Sequence, residues 1–325
     1  MTARNKVQLH RKAKGAKLLL VLCLVCLLLV VLLTKGRVAN QNSTDSLRLK
    51  AQTLPFENPS LVSQNSVPPG IRSIVGSNEM NLADRLKAVH SLGKNLSPEE
   101  VSALYEFLKE STNPEDKSGA FLHVLKNDTI RVLRHQVAPP AGLTGTLIEI
   151  YQDESQDSVI RDYAIQHLVS WYQQGAADSP EAKGRIQAVL LDAVQKNTSI
   201  AGTALLGLHR LSASDAAFRS DKIDGIALKL AKSDAQPLTR ITAIQVCSER
   251  GLKEALPKIQ ELAQTAENVA LRISAIAALG RLGESEQVSF LEQLEAGERE
   301  NINPAIQTAF NSLQQRKLVS LKNNQ

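Results

Sequence analysis

The feature that most constrains this chain is a small pattern that returns at the length of a helix pair. Arg stands first, Ala follows three positions later, and a large apolar residue follows four after that. It reads Arg85, Ala88, Leu92; then Arg161, Ala164, Leu168; then Arg240, Ala243, Cys247; and most clearly Arg272, Ala275, Leu279. Ala204 with Leu208 and Ala309 with Leu313 keep the apolar pair, but Ala201 and Ile306 stand where Arg would be. The Ala positions are separated by 76, 40, 39, 32 and 34 residues. The first interval is close to two units, and an apolar helix over residues 118–126 fills it imperfectly. Positions four apart share one helix face, so a small side chain beside a large one is a packing seam. Second amphipathic segments, Ala255–Ala263 and Val288–Leu294, lie between the anchored helices. Two helices per unit, neither able to bury its apolar face alone, predict a stack: an all-α solenoid of six or seven helix pairs over residues 79–322.

Helix starts point the same way. Ser97-Pro98-Glu99-Glu100 is a capping box, with Ser as cap, Pro at the first helical position and Glu at the third. Asn113-Pro114, Ser179-Pro180 and Asn303-Pro304 repeat the device. No segment alternates strictly enough to read as a strand. The stretch from Asn268 to Gly283, with Arg272, Ala275, Leu279 and Gly280, resembles the short HEAT-like repeat of the bilin-lyase type; Asp157 with Arg161 matches it as Asn268 does with Arg272. Asp234 is displaced to six residues before Arg240, and Arg85 has no acid four before it. The resemblance implies a curved, two-layer α-solenoid whose inner helices bind another protein. It also implies a structural Arg that ties adjacent units through hydrogen bonds.

Ahead of the repeats the chain carries an address. Leu18 to Leu33 is sixteen residues without a polar side chain, and Lys17 and Lys35 bracket it. As a helix it is about 24 Å long, somewhat short of a hydrocarbon core of about 30 Å, and flanking lysines can snorkel across the difference. Arg4, Lys6, Arg11, Lys12, Lys14 and Lys17 precede it without an acid. The excess of cations on that side predicts a single-pass anchor over residues 18–34 with residues 1–17 as a cytosolic foot. The rest is then extracytoplasmic, on the periplasmic face of a bacterial inner membrane. The alternative is a cleaved signal peptide and a secreted module, but Arg37 stands at −3 if Ala39 is −1. Residues 35–78, with Pro55, Pro59, Pro68 and Pro69, read as a flexible linker, and 323–325 as a tail.

The sequence carries little that reads as reaction chemistry. Cys23 and Cys26 have redox spacing but sit inside the apolar rod, and Cys247 is the one thiol beyond it. His90, His123, His135, His167 and His209 are too far apart for a zinc motif, and phosphate-binding and nucleophile-elbow motifs are absent. Aromatic residues are 3% of the chain, too few for a base-stacking platform. The formal +5, less the six cations of the foot, leaves −1 for residues 18–325, so nucleic acid is not expected. No cofactor, metal or catalytic residue is expected, although the repeat resemblance permits a cofactor chaperone or lyase. The expected partner is a protein, partner class and nothing finer. Tyr151, Tyr163, Trp171 and Tyr172 cluster in 22 positions; spacing places Trp171 in the core and leaves Tyr163 and Tyr172 as interface candidates. Asn42, Asn95, Asn127 and Asn197 each open an Asn-x-Ser/Thr sequence.

Overall fold

The computed structural model describes residues 69–75, 81–110, 119–175, 179–196, 198–218, 221–297 and 302–323. All belong to one unit, Val62–Gln325. The basic foot, the apolar rod with Cys23 and Cys26, and the linker up to residue 68 lie outside the described residues. Among the described residues no helix is long and apolar enough to cross a membrane.

Fourteen α-helices, among the described residues, form seven consecutive pairs: α1 Pro69–Val75 with α2 Leu82–Ser91, α3 Pro98–Lys109 with α4 Gly119–Arg134, and α5 Leu143–Gln152 with α6 Ser158–Gln173. These are followed by α7 Pro180–Gln195 with α8 Ile200–Ser212, α9 Asp221–Lys232 with α10 Pro237–Glu249, α11 Leu256–Thr265 with α12 Val269–Leu282, and α13 Ser285–Gly297 with α14 Asn303–Asn323. The even helices pack side by side without a break, α2 on α4, α4 on α6, and so on to α12 on α14. The odd helices form a second layer, in which α1 touches α3, α3 touches α5, α5 touches α7 and α9 touches α11. This is the two-layer stack of an α-solenoid, with the core between and along the layers.

The first pair departs from expectation. Residues 69–75, placed within the flexible linker by composition, are helix α1. Ile71 and Ile74 are fully buried there. Three positions apart, they form a one-turn apolar stripe that packs on α2 and α3. The stripe is too short to stand out as a period in a Pro- and Ser-rich context, so only its neighbours reveal it.

Several helix starts are as the caps indicate. The Ser97 hydroxyl accepts from the Glu100 amide at 3.2 Å while Glu100 Oε2 accepts from the Ser97 amide at 2.8 Å. Ser179 and Asn268 accept from the amides of Ala182 and Leu271, each at 3.0 Å. Asn303 differs: it is the first residue of α14, and its buried Oδ1 has no hydrogen-bond partner. The Asn113-Pro114 start lies outside the described residues.

The small residues set the distance between even helices. A Cβ added to Gly280 on α12 would stand 2.7 Å from the Ala309 Cα on α14, so the two backbones are in contact at that point. Gly207 on α8 is likewise closed off by Val169 on α6. Ala164, Ala204, Ala243 and Ala275 are all fully buried at the corresponding places, with Leu168, Leu208, Cys247 and Leu279 filling the space one turn on. Burial pushes the Cys247 thiol up to about 12, which keeps it protonated.

Candidate functional site

The repeated Arg has a defined job. Arg85 on α2 donates from Nε and Nη2 to the Ile74 carbonyl at 3.0 and 2.6 Å. Arg161 on α6 donates from Nε to the Tyr151 carbonyl at 2.8 Å, and Arg272 on α12 to the Ala263 carbonyl at 3.2 Å. Each acceptor lies in the last turn of the odd helix just before, where carbonyls lack intrahelical partners. The tie therefore joins the two helices of one pair, not adjacent units as the resemblance implied. A guanidinium at a helix C-terminus also meets the negative end of the helix dipole. In the fourth Arg-bearing pair Arg240 Nε is buried without a hydrogen bond, and the Leu230 carbonyl at the corresponding place accepts from Ser233 instead.

The unit missing from the 76-residue interval is Lys126, Thr129, Leu133. Its anchor at Thr129 splits the interval into 41 and 35 residues. All three side chains are fully buried. Lys126 Nζ donates to the Leu108 carbonyl at 3.0 Å and to the Glu110 carbonyl, with Gln156 Oε1 at 3.5 Å. Gln156 Nε2 takes the Lys109 carbonyl between them at 2.6 Å, so three successive carbonyls at the end of α3 have side-chain donors. Burial pulls the Lys126 ammonium down to about 8, and Glu110 and Asp153 oppose that. The Thr129 hydroxyl satisfies itself on the Leu125 carbonyl at 2.8 Å, which is how a polar residue substitutes for Ala. Lys for Arg and Thr for Ala conceal the unit from a search for identical residues. The charge and size pattern was the signal that could have found it.

The aromatic cluster resolves unevenly. Trp171 is buried and donates from Nε1 to the Thr144 hydroxyl at 3.1 Å. Tyr172, expected as an interface candidate, is buried too: its hydroxyl donates to Asp215 and its ring sits edge-on to Phe218 at 5.2 Å. The helix turn that carries it faces the loop after α8, which sequence spacing alone does not reveal. Burial and the Asp215 carboxylate push the Tyr172 hydroxyl up to about 12. Tyr163 is half-buried on α6, packed against the core. Ala88 and Leu92 are half-buried, as expected near the α2 end of the described stack.

Three of the described histidines are absorbed in structural pairs between even helices. His90 meets Asp128 at 2.6 Å and His209 meets Glu249 at 2.9 Å. His167 receives Arg134 Nη1 on Nδ1 at 2.8 Å and donates from Nε2 to Asn127 at 3.0 Å. The ring is thereby held neutral; burial first, then Arg134, Arg131 and His135, bring it down to about 3. Asn127 is thus consumed inside the stack, and Thr129 of its Asn-x-Thr sequence is buried. Asn95 is exposed. Among the described residues no group of three His, Cys, Asp or Glu is placed to hold a metal ion.

What remains open is the outer face of the even helices. Leu238 on α10 is 67% exposed, and Val269 and Ile273 on α12 are 49% and 37% exposed. Val124 on α4 and Val159 on α6 are exposed at the same register as Leu238, five residues before the small anchor. Near the other end of these helices stand Arg210, Glu249 and Arg281, six residues after the anchor. Glu249 pairs with His209 at 2.9 Å and lies 3.6 Å from Arg281, so α8, α10 and α12 are linked here through His209, Glu249 and Arg281.

Such a stack, with a repeated basic tie and a graded outer face, defines a helical repeat protein. Residues 226–307, from within α9 to the first turns of α14, match the family of HEAT repeats. The match and the all-helical pairing support a HEAT-like repeat protein, and repeats of that family are generally protein-interaction scaffolds without catalysis. No curated protein matches the chain.

Proposed function

We propose that this protein is a membrane-anchored HEAT-like scaffold that binds another protein on the extracytoplasmic side, without catalysis. The observation that carries the binding function is the outer face of the even helices, where apolar side chains recur in one register and are left uncovered. A monomeric surface scatters such residues singly; a repeated register concentrates them. The anchoring half of the reading rests on the sixteen-residue apolar rod and the six cations before it. His90, His167 and His209 are taken up by structural partners, which supports recognition by shape and complementarity.

The test is membrane fractionation of the intact chain, joined to protease accessibility from each side. The intact protein is expected to resist carbonate extraction, with residues 69–323 shielded from protease on the cytosolic side. A variant lacking residues 1–34 is expected in the soluble fraction. An intact chain recovered soluble, or one cut from the cytosolic side, overturns the anchor. Site-specific photocrosslinking from Leu238 in cells tests the binding function: crosslinks to a second protein support it, and none overturns it.

A further inference from the structure

Resting on the scaffold reading, we infer that the seam between α6 and α8, on the open face of the even helices, receives a Lys or Arg side chain of the partner protein. Asp162 meets its charge and Val159 its aliphatic stem. Asp162 lies on α6, three residues after Val159 and four before Gln166, so the three share one helix face. Val159 is 40% exposed, Gln166 is exposed, and Asp162 is half-buried. The two helices touch where Val169 closes on Gly207, and the Thr203 side chain of α8 reaches the Asp162 carboxylate across the same seam.

Other acids at the seams between even helices have cations. Asp128 has His90 at 2.6 Å and Arg131 at 3.4 Å, and Glu249 has His209 at 2.9 Å and Arg281 at 3.6 Å. Asp162 is met by Gln166 Nε2 at 2.7 Å and by Thr203, both neutral, and no cation pairs with it among the described residues. Burial pushes its carboxyl up, and the two hydrogen bonds only oppose that shift. A half-buried carboxylate without a cation costs stability, so it is expected where a partner supplies the missing charge.

The surroundings of the carboxylate select the occupant. A metal ion needs further ligands, and among the described residues no group of three His, Cys, Asp or Glu is placed to hold one. Lys and Arg instead bring one charged head and lay an apolar stem along the surface beside it. Exposed Val159, one turn before Asp162, is such a surface, and exposed Val124 at the same register of α4 continues it. The partner segment therefore carries a basic residue beside an apolar one.

Selection of a phage-displayed library of random short peptides on the solubilised full-length chain tests this. The expected consensus is Lys or Arg beside an apolar side chain. Binding of the selected peptides is expected to fall at least about tenfold for Asp162→Asn and for Val159→Ser. Asp162→Glu, which keeps the charge, should retain more binding than Asp162→Asn. Asp162→Asn keeps an acceptor for Gln166 and Thr203 while removing the unpaired charge, so its melting temperature should equal or exceed that of the unaltered chain. Asp234→Asn, exposed ahead of α10, should leave binding unchanged. A consensus without a basic residue, or basic peptides that bind Asp162→Asn as tightly as the unaltered chain, overturns the inference and leaves the scaffold reading standing. Loss of binding together with a lowered melting temperature makes Asp162 structural and overturns it too. A selection with no enrichment also overturns it, and the Leu238 crosslinks then decide the scaffold reading on their own.

Discussion

Arg161 Nε donates to the Tyr151 carbonyl at 2.8 Å, and its guanidinium lies 5.8 Å from the centre of the Tyr151 ring. One side chain thus closes the open end of α5 and holds it to the start of α6. Arg85, Lys126 and Arg272 likewise donate to carbonyls at the end of the preceding helix in their own pairs, so these ties act within the helix pair.

The tie should be measurable. Arg161→Ala is expected to destabilise the protein by about 2 kcal/mol, since a charged hydrogen bond to a half-buried carbonyl is lost. Arg240→Ala, whose Nε makes no such bond, should cost less than about 1 kcal/mol. Denaturant unfolding of the two variants side by side checks this, and equal losses would remove the assigned role.

Lys126 is the more sensitive version. Lys126→Ala leaves the Leu108 and Glu110 carbonyls without their donor and opens a cavity, so a loss of about 3 kcal/mol is expected. Lys126→Met, which keeps the volume, should recover part of it. Thermal unfolding midpoints provide the comparison.

His167 gives a pH dependence with a definite sign. Its folded value near 3 lies below the ordinary value of 6.5, so between those limits the unfolded chain binds a proton that the folded chain refuses. Stability from this group is complete above about 6.5 and declines as pH falls, by about 2 kcal/mol at about pH 5. His167→Gln should flatten that part of the stability curve. Urea midpoints at neutral and acid pH for both proteins decide it; parallel curves would show that His167 does not control the slope.

The contact between α12 and α14 is tested by Gly280→Ala. A Cβ at 2.7 Å from the Ala309 Cα meets backbone, which cannot rotate away. A loss of about 2 kcal/mol is expected despite the better helix propensity of Ala, and Gly225→Ala on α9, with open space at its Cβ, should be neutral or stabilising by up to about 1 kcal/mol. A melting temperature that falls for Gly280→Ala and does not fall for Gly225→Ala confirms it.

The alternation of small and large apolar residues at one helical face is a local pattern, so the all-helical, paired character of the chain was legible from it, and the starts of α3 and α7 from Ser97 and Ser179. Caps are satisfied within three residues, and that is why they can be read without the fold. The Arg positions were legible as structural, but not their acceptors, because a carbonyl leaves no trace in residue type. Sequence by itself thus determined the repeating unit and the face of each helix that must be buried. Only the tertiary structure decided that Lys126 and Thr129 complete the row, that Tyr172 turns inward onto Phe218 while Leu238 and Ile273 stay uncovered, and that α1 belongs to the stack. Those outcomes depend on which helix lies beside which some 40 residues away, and the free energy of a side chain at such a seam is set by that neighbour and not by its own local context.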